Sequence, residues 1–185
     1  MSNVWMTSDL HFCHDREFCW YPRGFNSVYE MNDAIVKNWN EIVNTDDDIY
    51  VLGDLMLNDN DMGLKLIKQL KGKIHIIRGN HDSDERMRLY ADCYNVIEIS
   101  EGKFLRIGKY HFYLSHYPCI TNNYDLNKPL SARMINLCGH THTTNPFIDA
   151  NKGLIYHVEL DAHNIYPVEI NKIIDDIKNY IAVYS

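Results

Sequence analysis

Gly139-His140-Thr141-His142 places two histidines one residue apart behind a glycine. Such a pair is poor material for a hydrophobic core and good material for metal. At a turn after a strand, which Gly139 permits, both imidazoles can reach into one site and hold two different ions. Other groups of the same kind recur along the chain. Asp9-Leu10-His11 follows the apolar N-terminal run, and Gly53-Asp54 follows Ile49-Tyr50-Val51-Leu52. Gly79-Asn80-His81-Asp82 follows Ile74-His75-Ile76-Ile77, and Ser115-His116 follows His111-Phe112-Tyr113-Leu114. Each metal-type side chain sits just past an apolar run of strand length.

A borderline or hard divalent ion takes imidazole nitrogen, carboxylate oxygen and amide oxygen. Asp9, His11, Asp54, Asn80, His116, His140 and His142 supply these. They are too many for one tetrahedral ion and a natural number for two ions sharing a carboxylate. Two ions roughly 3.5–4 Å apart can hold a hydroxide and polarise a phosphoryl oxygen. Asn80, a neutral amide, suits a position where another carboxylate would over-neutralise the pair. His81 is the candidate that does not bind metal. Beside Asp82 its imidazole can stay protonated and serve as a catalytic acid, provided the two side chains meet; alternatively, Asp82 caps the helix that follows. Taken singly these motifs are weak or moderate signals, and a surface turn explains an isolated Asp-x-His. The ordered set, each member after a predicted strand, is strong. His14, His75, His111, His157 and His163 read as packing or surface residues, with His14 the exception to watch because it follows the first motif closely.

The elements that must position these groups alternate in the first half of the chain. Val4–Ser8 reads as a buried strand, and residues 12–26, with Pro22 and Gly24, as a loop. Ser27-Val28-Tyr29-Glu30 is a capping-box pattern opening a helix with the stripe Met31, Ile35, Val36, Trp39, Ile42 and Val43. A strand over 49–52, a helix over about 61–71, a strand over 73–77 and a short helix over about 83–92 follow. The second half is mostly strands: 96–100, 104–107 and 111–115, the last two a hairpin at Gly108-Lys109, then 134–138, 154–158 and a short one at 167–170. Residues 119–131 read as an irregular excursion, and a C-terminal amphipathic helix starts near Asn171. The 185 residues suit one domain, 1–185, with a sizeable core.

The composition is ordinary globular, 45% hydrophobic and 23% charged, with net charge −7. That charge argues against long duplex nucleic acid, which needs a basic surface. It leaves room for a nucleotide at a metal site, because the ions add local positive charge. No leader peptide pattern is present, and no apolar run approaches the roughly 18 residues of a membrane helix. Five scattered cysteines, at 13, 19, 93, 119 and 138, fit reduced thiols in a cytoplasmic protein.

The ordered set of five motifs resembles the calcineurin-like metallophosphoesterase superfamily, in particular its small single-domain bacterial and phage branch. The resemblance spans about residues 4–170. It implies an α/β fold, a four-layer α/β/β/α sandwich of two mixed sheets flanked by helices, and a two-metal phosphoesterase. By motif, Asp9, His11 and His142 would hold the first ion, and Asn80, His116 and His140 the second. Asp54 would bridge, and His81 would be the acid with Asp82 behind it. The cofactors implied are two divalent ions, Mn the first choice, with Fe, Zn or Ni fitting the same donors. The partner implied is a small phosphorylated or nucleotide-type ester, mono- or diester. Two departures stand out: the second motif continues Gly53-Asp54-Leu55-Met56-Leu57 without the acidic or arginine partner of many relatives, and the fourth is Ser115-His116 where Gly-His is common. Arg23 is a candidate phosphate clamp, Tyr21 and Tyr117 candidate stacking surfaces, and Asp161 a candidate outer support. Two other readings stand beside the enzyme: a metal-stabilised binding module without catalysis, and a metal-dependent nuclease on short single strands.

Overall fold

The structure is a computed structural model and describes residues 2–121 and 128–184. Two mixed sheets flanked by helices carry the chain. The first is built from β1 (Val4–Thr7), β2 (Asp48–Val51), β3 (Lys73–Ile77), β4 (Val96–Ser100) and β9 (Val168–Glu169), in the order β4-β3-β2-β1-β9. Its strands are parallel apart from β9. The helices between them are the single turn α1 (Glu17–Trp20), then α2 (Val28–Ile42), α3 (Asn60–Ile67) and α4 (Asp84–Ala91). The second sheet has the order β5-β6-β7-β8, with β5 (Lys103–Ile107), β6 (Tyr110–Leu114), β7 (Met134–Cys138) and β8 (Ile155–His157). The β5–β6 hairpin is antiparallel, and β6, β7 and β8 are parallel. The C-terminal helix is α5 (Ile170–Tyr184).

Strand alternation divides the apolar side chains between two cores. Ile49, Val51, Ile74 and Ile76 face α2 and α3, where Met31, Ile35 and Trp39 complete one cluster. Met6, Tyr50, Leu52 and Ile77 face the second sheet, meeting Phe112, Leu114, Ile135, Leu137 and Tyr156. The isoleucine stripe of α5, Ile170, Ile173, Ile174 and Ile177, closes this second core. Burial on both faces explains why the parallel strands read as continuous apolar runs.

The α2 cap forms with a shift. Ser27 Oγ accepts from Glu30 N at 3.2 Å, while the Glu30 carboxylate reaches back to Asn26 N at 2.9 Å. The segment expected as a loop over 12–26 contains α1, a turn too short for a periodic signal and held by burial of Cys19 in the first core. Strand ends differ from the expected ones by a residue or two, as fraying ends do. Within the expected 119–131 excursion, residues 122–127 lie outside the described residues. Among the described residues no helix is long and apolar enough to cross a membrane.

Parallel strands end at one edge of a sheet, so the loops after β1, β2 and β3 converge, as do those after β6 and β7. Binding crevices of open α/β sheets form at such carboxyl ends. The two edges are stitched together by a bridge pairing Ser8 with Glu159 and by His140 N donating to Asp9 Oδ2 at 2.9 Å.

Candidate metal centre

Five of the seven predicted ligands stand in the left-handed backbone region: Asp9 (φ 57), His11 (φ 50), Asp54 (φ 56), His140 (φ 75) and His142 (φ 51). For residues with a Cβ this costs on the order of 1–2 kcal/mol each, and such strain gathers at functional sites. The surrounding chain holds it. Asp9 N donates to Gly53 O and His11 N to Asp54 O, both at 3.0 Å, and His81 N donates to Asp54 Oδ1 at 2.9 Å. Glycines let these loops interlock. A Cβ on Gly79 would strike Asp54 Oδ1, and one on Gly139 would strike Ser8 Oγ and Asp9 Oδ2. Gly139→Ala should therefore push the Asp9 carboxylate aside without removing a ligand. We expect Mn²⁺ affinity, read by calorimetric titration, to fall by about 10- to 100-fold, the usual effect of disturbing a ligand's support.

All seven residues come together at the mouth between the sheets. His11 Nε2 lies 3.0 Å from His142 Nε2, and each is 3.7 Å from Asp9 Oδ1. On the other side Asn80 Oδ1 lies 2.8 Å from His116 Nε2 and 2.9 Å from His140 Nδ1. Asp54 Oδ2 is 3.8 Å from His11 Nε2 and 3.6 Å from His116 Nε2, so it faces both groups.

Asp9 Oδ1 is buried and, among the described residues, has no hydrogen-bond partner. A buried carboxylate oxygen left without a donor is costly, and a cation between it and the two Nε2 atoms would satisfy all three. The protonation chemistry agrees. Burial pushes His11 down to about 4 against the pull of Asp9, and burial with the His116 charge also lowers His140, so both offer lone pairs at neutral pH. Burial raises Asp9, yet the pull of the His11 imidazole, 3.7 Å away, outweighs it and holds the carboxyl at about 2. The residues fit divalent ions.

Outer partners set the imidazole tautomers. Leu52 O accepts from His116 Nδ1 at 2.8 Å, leaving Nε2 free for the site. The Asp161 carboxylate lies 3.2 Å from His142 Nδ1. Burial lowers His142, but the Asp161 hydrogen bond and the Asp9 charge win and raise it. Glu159, fully buried, accepts from Thr141 Oγ1 at 2.9 Å and Thr143 N at 3.2 Å, so it grips the loop on either side of His142. His157 sits between Glu159 and Asp149, at 3.2 and 3.0 Å. Glu159 had no signature beyond its place after a strand.

Three expectations change. Arg23 is no phosphate clamp: its side chain is 1% exposed and its guanidinium grips Asp161 with two bonds, 3.0 and 2.7 Å, and Asp9 O at 2.8 Å. Asp82 does not orient the His81 imidazole. It is buried and accepts from Asp54 N at 2.8 Å, Leu55 N at 3.3 Å, Gly79 N at 2.9 Å and Tyr90 Oη at 2.9 Å. It thus holds the Gly53-Asp54 turn, which lacks an acidic or arginine partner of its own. Tyr21 is exposed and packs edge-on to Trp20, away from the cleft. Tyr117 does stand at the rim, its ring 4.6 Å from that of His140. Ser115, in place of the commoner glycine, is accommodated because its hydroxyl donates to Tyr117 O and accepts from Asn136 Nδ2, both at 2.8 Å.

A calcineurin-like phosphoesterase superfamily domain aligns with residues 3–158. The chain belongs to that superfamily. An uncharacterized protein of Methanocaldococcus jannaschii is 33% identical over 180 residues, covering 94% of this chain and 90% of that protein. The gene 66 protein of a Mycobacterium phage is 28% identical over 204 residues, covering 96% and 98% of the two chains. A crystal structure of a protein of unknown function from Aquifex aeolicus superposes with TM-score 0.71 at 22% identity, over 96% of this chain and all of that one, and shares the fold.

A cleft of about 470 Å³ opens over this calcineurin-like centre. His11, Asp54, Asn80, His140 and His142 form its floor, with His81 beside them, 41% exposed, its Nε2 4.0 Å from Asp54 Oδ2. His14, grouped in sequence with the packing or surface histidines but marked as the exception because it follows the first motif, also lines the cleft, its ring 5.2 Å from that of His11. Arg16 and Phe18 line it too, and no motif marked them.

Proposed function

We propose that the protein is a dinuclear metal-dependent phosphoesterase acting on a small phosphate ester. The observation that carries this is the position of Asp54 Oδ2 between two donor groups, 3.8 Å from His11 Nε2 and 3.6 Å from His116 Nε2. Asp9, His11 and His142 would hold one ion, Asn80, His116 and His140 the other, and Asp54 both. When bound, two divalent ions supply Lewis acidity toward phosphoryl oxygens and an activated water at neutral pH. Mn²⁺ is the first choice, and Fe²⁺, Zn²⁺ and Ni²⁺ suit the same nitrogen and oxygen donors.

The chain's own residues supply orientation and the proton. Asp161 and Leu52 O fix the tautomers of His142 and His116, so the lone pairs point into the site. Two cleft histidines lie outside both donor groups, and of these His14 is buried while the His81 side chain is 41% exposed. The His81 backbone is pinned at both ends, N–H to Asp54 Oδ1 and C=O to Arg86 Nη1 at 2.6 Å. That leaves the imidazole to reach the leaving oxygen and give it a proton. The balance is simple: water adds across the P–O bond, hydroxyl to phosphorus and proton to the departing oxygen. The five unpaired cysteines suit a reducing cytoplasm.

The test uses metal-stripped protein re-supplied with Mn²⁺, with an aryl phosphate monoester and a diester as substrates. We expect two ions per chain and turnover of at least one ester that rises with Mn²⁺ and falls with chelator. Equal turnover in chelator, or one ion per chain at saturation, would overturn the reading.

A further inference from the structure

The cleft has one wall that the metal chemistry leaves unused. It is built by the excursion between β1 and α2, where Cys19 and Trp20 turn into the first core and Phe18 turns out. Phe18 is 71% exposed, and its ring stands T-shaped against the buried His14 ring at 5.3 Å and 89°. Leu57 adds apolar surface to the same cleft. Arg16 is the one lysine or arginine among the residues lining it, and among the described residues no carboxylate pairs with its guanidinium. An unpaired guanidinium and an exposed ring therefore flank a floor of histidine, aspartate and asparagine.

We propose that Arg16 and Phe18 form a subsite for the half of the substrate that does not leave, and that this half is a nucleoside. Resting on the phosphoesterase reading, this names the substrate class as a small nucleotide ester. A nucleoside phosphate ester brings a planar base, which stacks on an aromatic face whatever its identity, and phosphate oxygens, which a guanidinium binds in a fork. A volume of about 470 Å³ suits a ligand of mononucleotide size. Among the described residues Arg16 is the one cation lining the cleft, and on a chain of net charge −7 it provides no track for a longer phosphate backbone.

The experiment compares thymidine 5′-(p-nitrophenyl) phosphate with ethyl p-nitrophenyl phosphate on the Mn²⁺-loaded protein. The two share leaving group and charge and differ in the nucleoside. We expect the ratio of their kcat/KM values, nucleoside over ethyl, to fall about tenfold in Phe18→Ala and to be restored in Phe18→Trp. Arg16→Ala should raise KM for both esters by about tenfold. An unchanged ratio in Phe18→Ala, or an unchanged KM in Arg16→Ala, overturns the proposal. Should the wild type cleave neither diester and no aryl phosphate monoester, the phosphoesterase reading fails while the subsite is still tested by calorimetry. Affinity for thymidine 5′-monophosphate should then drop about tenfold in each alanine variant, and equal affinity in wild type and variants would refute the subsite.

Discussion

Asp54→Asn is expected to lower metal-dependent phosphoesterase turnover by roughly three orders of magnitude, the several kcal/mol that metal-borne charge stabilisation supplies. The amide keeps the side-chain shape and can still accept from His81 N, now made at 2.9 Å to Oδ1. What it loses is the negative oxygen facing both His11 and His116. Calorimetric Mn²⁺ titration should show at most one ion per chain. The metal-free variant should resist heat at least as well as wild type, because Asp54 is buried beside the negative charges of Asp9 and Asp82. Removing one of three clustered charges relieves the apo fold. A variant that retains two ions and wild-type turnover would remove Asp54 from the role assigned to it; one that unfolds would show the carboxylate to be structural.

Arg23→Ala is expected to destabilise the protein by about 3–5 kcal/mol, the effect of stripping one partner from a buried ion pair. Asp161 would be left as an uncompensated charge, held now by two guanidinium bonds. The carbonyl of Asp9 would lose its donor at 2.8 Å. Because Asp161 also meets His142 Nδ1 at 3.2 Å, the same change should weaken one ion by about 10- to 100-fold. Arg23→Lys should rescue little, since an ammonium cannot make the two-pronged bond and reach the Asp9 carbonyl together. Denaturant unfolding with a double-mutant cycle against Asp161→Asn measures the coupling. A loss under about 1 kcal/mol, as for a surface pair, would refute the buried clamp.

The metal-type residues were legible because histidine, aspartate and asparagine just past apolar runs have few other uses. Strand and helix periods were legible because burial imposes them locally: Ile74–Ile77 reads as a buried strand, and the stripe from Met31 to Trp39 as a helix face. Both follow from the chain's own spacing. The Ser27 cap was equally local, even though Glu30 chose Asn26 as its partner.

What the sequence could not determine depends on which residues meet across long separations. Arg23 looked like a solvated phosphate clamp because nothing in its neighbours announces Asp161, 138 positions away. Asp82 stands next to His81 in the chain, and adjacency implied a pair. The turn after β3 instead points the carboxylate at the amides of Asp54, Leu55 and Gly79 and at the Tyr90 hydroxyl, which claim it. Glu159 under Thr141, and Arg16 and Phe18 on the cleft wall, acquire meaning only when the two sheets close. Residue type and spacing decided which groups could bind metal and which runs would be strands. Only the tertiary structure decided which carboxylate faces the site, which supports it and which cation stands in the cleft, because burial and partner choice are properties of the assembled sheets.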